Sequence, residues 1–220
     1  MPEPIPPAIF AIGRNYGDHA AEMGNTPVER PIVFMKNPAS VISSGEPIVI
    51  PPVCREPQEQ VDYEGELAVV IDRDCRDVPE GRALEYIRGY AAANDVTARW
   101  WQKHGSGGQY VRGKSFDTFC PIGPAVPAGD VPDPQALEVV TLLNGEEVQR
   151  ASTATMLFPV ARLIAELSRG MTLLAGSVLL TGTPAGVGAA RTPPRFLTEG
   201  DTVEVRIETV GRVSNPVTFE

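Results

Sequence analysis

The run Val61-Asp62-Tyr63-Glu64-Gly65-Glu66-Leu67-Ala68-Val69-Val70-Ile71 is rich in β-branched residues and alternates in polarity, and both properties predict a strand. Successive strand side chains point to opposite faces, so Val61, Tyr63, Leu67, Val69 and Ile71 make an apolar face. Glu64 and Glu66 share the other face, roughly 7 Å apart along the strand. Two like charges aimed the same way repel unless something offsets them. Taken alone, the pair fits the solvated face of an edge strand as well as it fits half of a cation site. For a cation, oxygen-only ligation suits Mg²⁺, Mn²⁺ or Ca²⁺, because zinc prefers nitrogen and sulfur ligands absent from this segment. Gly65 permits a close backbone approach or a bulge.

Downstream, the small-residue strand Gly89-Tyr90-Ala91-Ala92-Ala93-Asn94 ends at Asp95, where a helical segment is expected to begin. Asp95 is then an N-cap or a third acid of the site. On a helix, Asp95, Arg99 and Gln102 fall at i, i+4 and i+7 and share one face. Upstream, His19 and Glu22 stand at i and i+3 in Gly13-Arg14-Asn15-Tyr16-Gly17-Asp18-His19-Ala20-Ala21-Glu22. That spacing suits a carboxylate that fixes an imidazole tautomer for general-base work, and equally a surface histidine beside a glutamate. Lys114, in Arg112-Gly113-Lys114-Ser115-Phe116-Asp117, suits a substrate anion or a pairing with Asp117. His104 lies in a glycine-rich loop and is read as solvent-exposed. The loop Thr181-Gly182-Thr183-Pro184-Ala185-Gly186-Val187-Gly188 follows a strand and offers backbone N–H groups and a hydroxyl to a carboxylate. It lacks the G-K-[ST] ending of a nucleotide-binding loop.

The rest of the chain reads as short strands joined by turns, with 22 prolines and 21 glycines spread throughout. Val139–Leu143, Asn144-Gly145 and Glu146–Gln149 predict a hairpin, because Asn-Gly tolerates the positive φ values of a type I′ turn. Further strands are expected at 177–181, 202–209 and 212–218, the second with a Val203/Val205/Ile207 alternation. Helices are fewer: an apolar stripe of Val160, Leu163, Ile164 and Leu167 ends near Gly170, and 79–88 is a shorter candidate. The expected class is β-rich α+β. A net charge of −9 without a basic cluster argues against nucleic acid. Cys54, Cys75 and Cys120 are odd in number and widely spaced, which argues against a disulfide framework and a zinc site and fits a reducing, cytoplasmic compartment. The sequence shows neither an export signal nor a stretch of membrane-spanning length.

Taken in order, Gly13-Arg14-Asn15-Tyr16 with His19 and Glu22, Asp62-Tyr63-Glu64-Gly65-Glu66-Leu67, Asn94-Asp95 with Arg99, Gly113-Lys114-Ser115-Phe116-Asp117 and Thr181-Gly182-Thr183-Pro184 through Gly188 resemble the fumarylacetoacetate hydrolase family, in its short single-domain branch. The resemblance spans nearly the whole chain. It implies a mixed β-sheet roll with a few peripheral helices, an Mg²⁺ or Mn²⁺ ion, a small 2-oxo acid substrate and a homodimer. It makes Glu64, Glu66 and Asp95 the metal ligands, His19 with Glu22 the base dyad on a lid, and Lys114 and Thr183 holders of substrate. Arg99 and Gln102 match pocket-lining positions, although Trp100 and Trp101 stand where many relatives carry an acid first. The implied organisation is one catalytic domain, with residues 1–50 a partly loop-rich arm and lid and 51–220 the metal-binding β core. The implied activity is hydrolysis of a C–C bond in an acylpyruvate or fumarylpyruvate. The same cation and enolate also serve isomerisation or decarboxylation of 2-oxo diacids. A non-catalytic domain with a structural cation is the alternative of another class. The loops 24–31 and 102–110 are expected to shape the variable end of the pocket.

Overall fold

The computed structural model describes residues 5–22 and 29–220, and all of their side chains but those of residues 19–21. Strands dominate it. In chain order they are β1 (Ile9–Gly13), β2 (Ile32–Lys36), β3 (Val41–Ile42), β4 (Ile48–Ile50), β5 (Val61–Asp62), β6 (Gly65–Ile71), β7 (Ile87–Asn94) and β8 (Thr97–Ala98). There follow β9 (Cys120–Pro121), β10 (Val126–Pro127), β11 (Glu138–Leu143), β12 (Glu146–Ser152), β13 (Val178–Leu180), β14 (Thr202–Ile207) and β15 (Gly211–Phe219). The α-helices among the described residues are short: α1 (Gly17–Glu22), α2 (Tyr110–Lys114) and α3 (Val160–Ser168).

A six-stranded sheet runs β10-β7-β6-β13-β1-β2 and a five-stranded sheet runs β12-β11-β14-β15-β4. Both mix parallel and antiparallel pairs, since β1 lies parallel to β13 and β15 parallel to β4 while their other neighbours are antiparallel. This is the β-rich architecture with few helices that the sequence predicts, with the mixed sheet that the family resemblance implies. One core fills the space between the sheets, where Leu67, Val69 and Ile71 of β6 pack with Val139, Val205, Ile207 and Val213. The stripe Val160, Leu163, Ile164 and Leu167 of α3 closes its side. On the opposite face of the six-stranded sheet, Ile9, Ala11, Ala68, Ala91, Ala93 and Leu180 form a second, shallower core. Small residues keep that face low, and the site described below sits at its end. The segment 1–50, weakly periodic in sequence, contributes β1 and β2 to the interior and edge of this sheet.

The Asn-Gly hairpin forms as expected, with φ of 54° at Asn144 and 81° at Gly145. The Asn144 carboxamide also donates to Asp201 at 2.8 Å and accepts from the Thr202 amide, fastening the turn to β14. Two expectations are corrected. The run 61–71 is not one strand: it breaks at Tyr63-Glu64 into β5, which pairs with β8, and β6, which pairs with β7. Residues 79–88 supply a 3₁₀ segment, Glu80–Tyr86, in place of a regular helix.

Candidate metal centre and its cavity

The break at Tyr63-Glu64 builds the site. Antiparallel pairing of β6 with β7 stops at Gly65↔Asn94 and resumes at Asp62↔Thr97, so both strands kink between these pairs. The Asn94 side chain accepts the Glu64 amide at 2.9 Å, and the Asp95 amide donates to the Glu64 carbonyl at 2.8 Å. Every backbone group at the kink thus named has a partner, as burial demands. The kink turns Glu64 and Asp95 toward Glu66. One carboxylate oxygen from each of the three lies within 4.8 Å of the others, and all three residues are buried. Oxygens that close to one another fit a hard divalent cation with bonds of roughly 2.0–2.6 Å.

Asp95 reaches this position by a route unlike the one read from sequence. It does not open a helix, because Thr97–Ala98 forms β8 two residues later and pairs with Val61–Asp62. Helical backbone begins at Arg99 and passes into a π-helical turn over Trp101–Gly105. Arg99 and Gln102 therefore meet the acids through tertiary contacts.

Three cations interlock with the acids. The Lys114 ammonium donates to Glu64 Oε2 at 2.8 Å, Asp95 Oδ2 at 2.5 Å and Thr97 Oγ1 at 2.8 Å. Lys36 donates to Asp95 Oδ1 at 2.5 Å and to the Val96 carbonyl. Arg99 donates to Asp62 Oδ2 at 2.8 Å, Glu64 Oε1 at 2.6 Å and Gln102 Oε1 at 3.3 Å. Asp62 in turn accepts the amides of Gly188 and Ala189. Four buried carboxylates (Asp62, Glu64, Glu66 and Asp95) thus face three buried cations, one negative charge in excess when all are ionised. The excess is sharpest at Glu66. Burial, then the charges of Asp95 and Glu64, push its carboxyl well above the usual range against the opposing pull of Lys114 and of the Gly182 amide, which donates to it at 2.7 Å. A cation bound here would reverse that penalty. Burial alone would depress the Lys114 ammonium, but Asp95 and Glu64 outweigh it and hold its pKa above the ordinary lysine value.

A cavity of about 290 Å³ opens from this cluster. Glu64, Arg99, Gln102, Lys114 and Thr183 line it with Arg14 and Lys103, and Ile12, Phe34 and Tyr110 form apolar wall. Thr183 holds its hydroxyl between the Gly65 carbonyl and the Gln149 side chain. Glu22, at the end of α1, accepts the Gly186 amide through both carboxylate oxygens at 3.0 and 3.1 Å. The backbone of His19 lies in the same helix, while its side chain lies outside the described residues, as do residues 24–28 of the expected pocket loop 24–31. His104 is exposed, as read. Lys114 pairs with the buried acids and not with Asp117.

Sequence reasoning gave no role to Lys36, Gln149, Asp62 or Asn15, the last two of which it quoted only as members of longer motifs. Lys36 follows Phe34 on the inward face of β2, but Val33 and Met35 on the outward face are equally apolar, so alternation gave no phase. Asn15 donates to the carbonyls of Phe158 and Thr181 and accepts the Phe158 amide, seating α1 beside the Thr181–Gly188 loop.

Among the described residues no helix is long and apolar enough to cross a membrane, and all three cysteines are free and buried. A family model described as fumarylacetoacetate (FAA) hydrolase C-terminal matches residues 8–218. A mitochondrial oxaloacetate tautomerase of Xenopus laevis is 45% identical over 214 residues, which cover 96% of this chain and 66% of that protein. The crystal structure of a 2-hydroxyhepta-2,4-diene-1,7-dioate isomerase from Mycobacterium marinum is similar with a TM-score of 0.83 and 38% identity, over 98% of this chain and 76% of that one. A fumarylpyruvate hydrolase from Pseudomonas aeruginosa, solved with Mn²⁺ and pyruvate, is similar with a TM-score of 0.85 and 32% identity, over 97% and 90% of the two chains.

Proposed function

The chain belongs to the fumarylacetoacetate hydrolase family, and on that premise we propose that it is a divalent-metal-dependent enzyme of 2-oxo acid enol chemistry, whose reaction is keto–enol tautomerisation of a small 2-oxo diacid of the oxaloacetate type. The observation that carries this reading is the convergence of Glu64, Glu66 and Asp95, interlocked with Lys114, at the end of a cavity of substrate size. Glu64, Glu66 and Asp95 would hold an Mg²⁺ or Mn²⁺ ion, which would supply Lewis-acid stabilisation of charge at a 2-oxo oxygen.

The chain's own residues do the rest. Lys114, kept protonated by Asp95 and Glu64, lines the cavity with its three donors given to Glu64, Asp95 and Thr97, and would turn a donor to a substrate oxyanion once a bound cation takes over the carboxylates. Arg99 is engaged by Asp62 and Glu64, so its main part is to aim Glu64, while Gln102 beside it faces substrate. Thr183, whose hydroxyl proton goes to the Gly65 carbonyl, shapes the cavity wall at the acid end of the substrate. His19, with Glu22, moves the proton at the carbon next to the carbonyl. The Gly186 amide ties Glu22 to the loop that carries Thr183, and so joins the base to the binding site. Phe34, Ile12 and Tyr110 shield the reacting carbon from water.

The second reading is C–C hydrolysis of an acylpyruvate or fumarylpyruvate, favoured by the likeness to the fumarylpyruvate hydrolase over 90% of that chain. Both begin with charge development on a 2-oxo oxygen and differ in whether the base activates carbon or water. The experiment follows enol absorbance of oxaloacetate and pyruvate release from fumarylpyruvate, with Mg²⁺ or Mn²⁺. Accelerated enol–keto exchange without pyruvate release is expected. Pyruvate release alone selects the second reading, and neither activity, together with no calorimetric binding of Mn²⁺ and oxalate, overturns both. The same family reading carries a homodimer, which sedimentation checks.

A further inference from the structure

Strand β13 leaves its neighbour β6 just before the metal site. Leu180 pairs with Ala68, and the Thr181 amide still donates to the Leu67 carbonyl at 3.1 Å. Continued two residues further, the ladder would pair Thr183 with Gly65 through backbone groups. The chain has turned away by then, and the N–H and C=O of Gly65 need other partners. Side chains supply both. The Gly65 amide donates to Gln149 Oε1 at 3.0 Å, and its carbonyl accepts the Thr183 hydroxyl at 3.0 Å. Gln149 then closes the circuit by donating from Nε2 to Thr183 Oγ1 at 2.8 Å and to the Pro184 carbonyl at 2.9 Å. Gln149 comes from β12 of the other sheet, is 2% exposed, and leaves neither carboxamide atom idle.

Gly65 is the residue between the carboxylates Glu64 and Glu66, and Thr183 lines the cavity. We propose that Gln149 is a positioning residue for this site: its carboxamide replaces the missing strand and locks the hydroxyl of cavity-lining Thr183 to the backbone that spaces the two carboxylates. The departure of β13 makes room for substrate, and Gln149 keeps that departure from loosening the acids. The inference rests on the metal and 2-oxo acid reading of the site for its function, and on the hydrogen bonds alone for its geometry.

The test is a double-mutant cycle on the full chain, with oxalate titrated calorimetrically into Mn²⁺-saturated protein. Gln149→Met keeps the volume and removes all three bonds, and Thr183→Val removes the partner. Each single change weakens oxalate binding at least about tenfold, and the double variant binds no more than about twofold worse than the weaker single. Multiplying losses, or unchanged oxalate affinity in Gln149→Met, overturn the proposal. Should Gln149→Met not fold, Gln149→Glu replaces it with the same expectations, since it retains the acceptor toward Gly65 and loses both donor bonds. A parent that binds no Mn²⁺ or oxalate strikes the proposed function, and the geometry is then read from hydrogen exchange at the Gly65 amide in the metal-free protein. Exchange rises at least about tenfold in Gln149→Met and also in Thr183→Val. A rise in the first variant alone overturns the proposal.

Discussion

The end of the β6–β7 pair and the β11–β12 hairpin both gather acids and bases on antiparallel strands, yet they teach opposite lessons about charge. On the hairpin, Arg150 reaches Glu138 and Glu147 with all three side chains nearly half exposed, and water screens the contacts. At the strand end, Lys36 and Asp95 are both fully buried, and every charge there depends on a named partner. The hairpin would keep its shape without its ion pairs. The strand end would not keep its acids together without its cations, and one acid, Glu66, is held against both burial and its neighbours.

The contrast breaks most visibly at Glu66. Because its folded pKa is raised, the native state holds a proton there that the unfolded chain has already released, and metal-free stability falls as pH rises from the ordinary glutamate range toward the raised value. Glu66→Gln should remove that slope, raising the metal-free melting temperature at pH 8, while Mn²⁺ affinity drops at least about 100-fold by calorimetry. An unaltered affinity would remove Glu66 from the metal centre.

Next in size is Lys36→Met, which takes the buried cation from Asp95 Oδ1, leaves Lys114 on Oδ2 and adds a second excess negative charge to the cluster; it should cost about 3–5 kcal/mol in chemical denaturation. A loss under about 1 kcal/mol would put this ion pair in the same class as the surface ones. Gly65→Ala should cost about 1–3 kcal/mol by overpacking, since a Cβ there would meet Thr141 Oγ1 at 2.0 Å. Thr141→Ala in the same chain should restore part of it; no rescue would mean that the backbone, not Thr141, sets the limit. At the far end of the scale, Arg150→Gln should leave the melting temperature unchanged, and a clear drop would mean that exposed pairs on this hairpin do contribute.

The hairpin was legible residue by residue. Asn144-Gly145 needs positive φ, Val203, Val205 and Ile207 alternate, and Val160, Leu163, Ile164 and Leu167 recur at helical spacing, so each local pattern has one structural solution. The site was legible only as a set of residue types. Glu64, Glu66, Asp95 and Lys114 stood out by chemistry, but the expected geometry was a straight strand running past a helix start. A kink shared by two paired strands replaced it. Kinks of this kind leave no mark in one strand's alternation, because they depend on which partner each half finds.

Local patterning was enough for a β-rich class, its turns, and acids placed as a divalent cation would need them, because side-chain periodicity and turn chemistry act over a few residues; the mixed sheet was implied by the family resemblance. The counter-charges and the polar scaffold were settled in three dimensions. Lys36, Asp62, Asn15 and Gln149 take their meaning from partners 34 to 166 residues away in the chain. A buried charge or amide is stabilised by whatever donor or acceptor the completed fold brings within 3 Å, and no local pattern encodes that neighbour.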